Sequence, residues 1–138
     1  MSVIQLLVMA SDQRPRLSDI SREVSSDGTT FVPYEVDLAS HTGFLPITIG
    51  ERQTGFEFYF DEIANEQLPP EVTQFGTHQM VARTGSDMTE MLASMLFLRA
   101  AARLSGAAYV YPDDGMIIPP GEVESYLSDQ IEQVRKFI

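Results

Sequence analysis

A chain of 138 residues is long enough to bury about 70% of the surface its unfolded form would expose, so a core needs no cross-links. It has no cysteine, which excludes disulfides, thiolate metal sites and cysteine nucleophiles and fits a reducing compartment, with the cytoplasm as the expected location. Twenty acidic against nine basic residues, a formal charge of -11, repel phosphate backbones and anionic lipid and attract basic proteins, so nucleic acid is not an expected partner.

Met1 to Ala10 is apolar, lacks a basic leader and is too short to span a bilayer, and it reads as a buried strand. After Asp12-Gln13-Arg14-Pro15, the recurrence of Leu17, Ile20 and Val24 predicts a short helix that Ser25-Ser26-Asp27-Gly28 breaks. Thr29 to Leu38 reads as a strand with Val32, Tyr34, Val36 and Leu38 on one face, and Pro33 argues for a sheet edge. Phe44 to Ile49 is a further strand, again with a proline, Pro46. Gly55 to Asp61 alternates most clearly: Phe56, Phe58 and Phe60 face a core, and Glu57, Tyr59 and Asp61 face water. Glu62 to Gly76 is expected to be irregular, with room for a helical turn, before His78 to Thr84 resumes as a strand.

Asp87 followed by Glu90 predicts a capping-box start for a helix over Met88 to Leu104. Glu90, Arg99 and Arg103 deny that segment a membrane-spanning role, so no membrane is expected as a partner. The helix is apolar nearly all round, so it should lie on a sheet and be covered elsewhere by another element or by a second subunit. Gly106 stops it, and Ala107 to Tyr111 follows as a strand. Pro112-Asp113-Asp114-Gly115 is a turn by its chemistry, with Met116 to Ile118 returning as a hairpin. After Pro119-Pro120-Gly121 an amphipathic helix places Val123, Tyr126, Leu127, Ile131, Val134 and Phe137 on one face. Glu122 and Glu124 begin it and Arg135 and Lys136 end it, as the helix dipole favours. The expected whole is one α+β domain over residues 1–138: a mainly antiparallel sheet, one long buried helix packed on it, and an amphipathic C-terminal helix.

No motif commits the chain to catalysis. Gly50 to Gly55 has the glycine spacing of a phosphate loop, but Phe56 stands where lysine is needed and the segment leads into a strand. Arg83 to Asp87 could leave backbone donors free for an anion at a helix start, yet Asp87 already offers a negative cap. His41 and His78 lack paired-ligand spacing, and no Gly-x-Ser-x-Gly elbow nominates a serine. The carboxylate pairs Asp61-Glu62, Asp113-Asp114 and Glu122 with Glu124 have structural roles at a strand end, a turn and a helix start. Met88, Met91 and Met95 recur at helical spacing and mark a buried face, or an adaptable binding surface. No catalytic residue, cofactor or metal is expected; an enzyme would need a site assembled from distant residues.

The charge is clustered. Ser105 to Val134 carries Asp113, Asp114, Glu122, Glu124, Asp129 and Glu132 with no basic residue, and Glu51 to Glu71 holds six acids against Arg52 alone. If the hairpin at Asp113 lies near the strand ending at Asp61-Glu62, one acidic face forms. Its candidate contact residues are Glu57, Tyr59, Asp61, Glu62, Tyr109, Tyr111, Asp113, Asp114, Glu122 and Glu124. The Ala-rich helix running into Ser105-Gly106-Ala107-Ala108-Tyr109-Val110-Tyr111-Pro112-Asp113-Asp114-Gly115, in a small acidic chain without cysteine, resembles bacterial immunity proteins of interbacterial toxin systems. That resemblance covers about a third of the chain. It implies a role in binding and blocking a basic cognate toxin in the cytoplasm. The alternative expectation is a homodimeric structural or regulatory domain that buries the second face of the Met88–Leu104 helix.

Overall fold

The computed structural model describes residues 2–63 and 70–138. Seven strands form one sheet: β1 (Val3–Met9), β2 (Phe31–Pro33), β3 (Gly43–Ile49), β4 (Arg52–Glu62), β5 (His78–Thr84), β6 (Ala108–Tyr111) and β7 (Met116–Ile118). Their order is β2-β3-β4-β5-β1-β6-β7, and every pairing is antiparallel. Three helices, α1 (Leu17–Ser25), α2 (Met88–Ser105) and α3 (Val123–Arg135), join them. The α+β architecture with a long buried helix and an amphipathic C-terminal helix is thus the observed one.

Because side chains alternate along a strand, the sheet has two unlike faces. The inner face carries Leu7, Met9, Leu45, Ile47, Phe56, Phe58, Met80 and Tyr109, all buried in one cluster with the apolar sides of the three helices. At its centre the Phe97 ring of α2 meets Phe56 and Phe58 edge-on, with centroids 5.3 and 5.5 Å apart. α2 is buried along nearly its whole length, with the sheet beneath it and α1 and α3 at its flanks. Its cover is therefore intramolecular, and the reason for invoking a second subunit there is removed.

The helix boundaries follow their caps. The Asp87 carboxylate accepts from the Thr89 and Glu90 backbone N–H groups at 2.8 and 3.1 Å. Glu90 does not close a capping box on Asp87; its Oε1 accepts from the Gly85 N–H at 3.1 Å. At the far end Gly106 turns left-handed, φ 70, and donates to the Ala102 carbonyl. Gly76 is required for a different reason: a Cβ there would stand 2.2 Å from the Met9 backbone carbon.

Two local expectations are corrected. The strand expected over 29–38 stops at Pro33, and its register puts Phe31 inside and Val32 and Tyr34 outside. The strand is an edge, and its short pairing with β3 fixes the register rather than its own alternation. Phe137 lies beyond α3 and is 75% exposed. Of the irregular 62–76 connection, 64–69 lie outside the described residues, and Pro70–Phe75 form a 3-10 turn. That turn and Ile63 bring Val72 and Phe75 over Leu6, Val8, Val81 and Val110 on the outer face, making a second small core.

Burial of this kind fixes an expected cost. Phe97→Ala removes both edge contacts and opens a cavity in the middle of the helix–sheet interface, and it should destabilise the chain by about 3–5 kcal/mol. Urea denaturation of both proteins measures this. A loss under about 1 kcal/mol would mean that α2 is not the centre of the core.

Candidate interaction surface

The 70–75 turn covers the outer face only over β1 and its neighbours. Over β2, β3 and β4 no element among the described residues covers that face. Register places Val32, Thr48 and Gln53 in one row, Pro46 and Gly55 in the next, and Phe44 beside Glu57. Tyr34 continues β2 by donating its N–H to the Pro46 carbonyl at 2.9 Å. Val32, Tyr34 and Phe44 are 57%, 68% and 55% exposed, unusual values for three large apolar side chains grouped on one surface. The Phe44 ring lies over Gly55, where a Cβ would come 2.5 Å from it, so glycine lets the ring lie flat on the strand. The patch borders an open groove of 1240 Å³ whose lining includes Glu35, Asp87, Glu90 and one basic residue, Arg52.

The candidate contact residues do not come together as one face. Glu57, Tyr59 and Asp61 share the outer face: Tyr59 donates its hydroxyl to Glu57 Oε1 at 3.2 Å, and Gln79 Nε2 donates to Asp61 Oδ1 at 3.0 Å. Glu57 also lies 3.5 Å from Arg83 Nε. Glu62 follows on the inner side of β4 and is exposed at the strand end. Tyr109 and Tyr111 point the other way, into the helix layer. Tyr109 is 2% exposed, so it cannot serve as a surface contact.

Asp113 and Asp114 lie in the 3-10 turn between β6 and β7, at the opposite end of the sheet from Asp61-Glu62. Asp61 is level with Gln79, Val8 and Ala108 in the register. The hairpin tip lies five residues further along and three strands across, about 17 Å by about 14 Å. Glu124 is held on the helix layer by Arg103, 2.7 Å from its Oε1, and Glu122 is exposed just before α3. Sequence clustering failed here because strand order, which sets these separations, is a non-local property.

The other chemical candidates are occupied locally. The Gly85, Thr89 and Glu90 N–H groups are taken by the carboxylates of Glu90 and Asp87. Gly50 and Glu51 form the tight turn between β3 and β4. His41 Nε2 lies 3.1 Å from the Phe44 carbonyl, and His78 pairs with the Thr77 hydroxyl and stacks on Phe60. Among the described residues no three His, Asp or Glu side chains group as a metal site, and no helix is long and apolar enough to cross a membrane.

On the helix side a buried polar network ties sheet to helices. The Tyr109 hydroxyl donates to Gln5 Oε1 at 2.8 Å, and Gln5 Nε2 donates to Ser94 Oγ at 3.0 Å. Burial holds the Tyr109 phenol well above the ordinary tyrosine value, with the neighbouring Tyr126 and Tyr111 adding to it. Partial burial and nearby carboxylates, Asp113 and Asp114 for Tyr111 and Asp114 for Tyr126, raise those two as well. Compared with known proteins, the chain matches no protein-family model, no curated protein and no solved structure.

The raised phenols fix an alkaline response. A tyrosine whose folded value lies above its unfolded value contributes stability below about pH 10, lost as pH rises through the folded value. Urea midpoints should therefore fall steadily above about pH 10. Tyr109→Phe, which leaves the buried Gln5 oxygen without its donor, should cost about 1–3 kcal/mol at neutral pH and flatten that fall. An unchanged slope would mean that Tyr109 does not govern it.

Proposed function

We propose that this chain is a non-catalytic protein-binding domain of the immunity type, which docks a basic toxin through the open part of its outer sheet face and blocks it. The observation that carries this reading is the exposed group Val32, Tyr34 and Phe44, on a surface that no element among the described residues covers. Apolar and aromatic side chains ringed by polar ones have the anatomy of a protein interface, where a few aromatic anchors supply most of the binding energy.

Charge selects the kind of partner. Glu35, Asp87 and Glu90 line the adjoining groove, and Glu57 and Asp61 stand on the same sheet face, within a chain of charge -11. Such a rim accelerates encounter with a basic surface and repels acidic ones. A homodimer through this patch would bring two acidic rims together, so charge favours a different partner over a second copy. The resemblance carried by the Ala-rich helix and the segment Ser105 to Gly115 that follows it supplies the class, a toxin neutralised inside the producing cell, and with it the cytoplasmic location.

The test is capture of partners by the tagged protein from its own cells, run beside Tyr34→Ala and Phe44→Ala variants and an Asp113→Lys/Asp114→Lys variant. The reading expects one stoichiometric basic protein, bound about 30-fold more weakly by each aromatic truncation. Because the hairpin lies away from the patch, the lysine reversals should slow association only modestly, through long-range charge. Full retention by the aromatic variants, or recovery of a self-associated form alone, would overturn it.

A further inference from the structure

α2 and α3 run antiparallel and stay close where Arg103 meets Glu124 and Arg99 meets Ser128, 3.1 Å apart. Towards the start of α2 a pocket of 320 Å³ opens between the helices and the ends of β1 and β6. It is at the small end for ligand sites, which run from about 300 Å³ upward. Its walls are Met88, Met91 and Met95 from α2, Tyr126 and Gln130 from α3, and Tyr111 and Asp114 beside the β6–β7 turn. Tyr109 forms its floor, with its ring 5.4 Å from that of Tyr126.

The chemistry of this lining is one-sided. Three tyrosines, three methionines and Asp114 line the space beside Val3, Val134, Gln5 and Gln130, and among the described residues no basic side chain lines it. On the floor Gln5 is already bonded to Tyr109 and Ser94, and the remaining neutral polar lining is the Gln130 amide and the Tyr111 and Tyr126 hydroxyls, with no cationic donor to recruit an anion. Neither Asp113 nor Asp114 joins an ion pair among the described residues. Tyrosine faces and a nearby carboxylate attract a weakly hydrated cation, and thioethers adapt to the shape of an alkyl group.

We propose that the pocket bounded by Tyr111, Tyr126, Asp114 and the methionines of α2 binds an organic cation, an alkylated ammonium or a guanidinium on an alkyl arm. The site is separate from the outer-face patch, and its assignment does not rest on the toxin-binding reading. Burial is the main cause that raises the Tyr111 and Tyr126 phenols, and the Asp114 carboxylate adds to both, which places its charge near the two rings.

The test uses the whole protein carrying labelled methionine methyl groups, titrated with choline, with butylguanidinium, and with 3,3-dimethylbutanol as the neutral isostere of choline. A cation should shift the Met88, Met91 and Met95 methyl signals and bind about 10-fold more tightly than the alcohol. Asp114→Asn, at an exposed position that leaves the fold intact, should weaken the cation several-fold; Tyr126→Leu should do the same, and Tyr126→Phe, which keeps the ring face, should not. Tighter binding of choline would assign the site to a free quaternary ammonium compound, and tighter binding of butylguanidinium to an arginine side chain of a protein. Equal affinity for the alcohol, or methyl signals that no cation moves, would overturn the proposal.

Discussion

The burial of α2 is the constraint on which the rest of the structure depends. A helix apolar on nearly every side needs cover on every side. Phe97 wedged between Phe56 and Phe58 fixes it to the sheet, and α1 and α3 close its flanks. This gathers all three helices on one face of the sheet and leaves the other face to be covered by something else. The Pro70–Phe75 turn covers part of that face. The remainder, with Val32, Tyr34 and Phe44, is left uncovered by the other described residues, so the candidate surface is a consequence of where the helices had to go.

The same layering partitions the charge. Arg99 and Arg103, the basic residues of α2, are spent inside the helix layer: both reach Asp27 at 3.0 Å, and Arg103 also meets Glu23 and Glu124. These pairs are partly screened from water and hold the ends of α1 and α3 against α2. Their stabilising effect is modest, but they use cations that could otherwise offset acids elsewhere. On the outer face Arg83 answers Glu57, and the other carboxylates there meet neutral donors or water. The acidic excess is therefore a property of the open surfaces, where a partner would meet it.

Elements whose signals are local were legible in the sequence. Asp87 and Gly106 bracket α2 within a residue of the expected helix, His78 to Thr84 is a strand with the expected bounds, and the turn at Pro112 to Gly115 returns a hairpin as its chemistry requires. Features decided by distant neighbours were not. Val32 and Tyr34 alternate as if they faced a core, yet pairing with β3 turns Phe31 inward and sends them out. Tyr109 sits in a segment that reads as exposed by its neighbours Asp113 and Asp114, but β6 pairs with the interior strand β1 and its tyrosine enters the core. The two acidic segments cluster along the chain and separate across the sheet because β5, β1 and β6 lie beyond β4. One clue to the patch was present, since Pro33 marked its strand as an edge.

The claim that the open half of the outer face is where this protein meets its partner is tested most directly by amide hydrogen exchange on the captured complex and on the free protein. The account predicts new protection over 31–35, 43–48 and 52–55, with the β6–β7 hairpin and the helix layer unchanged. Protection confined to the hairpin or to α1 and α3, with β2 and β3 exchanging as in the free chain, would contradict it.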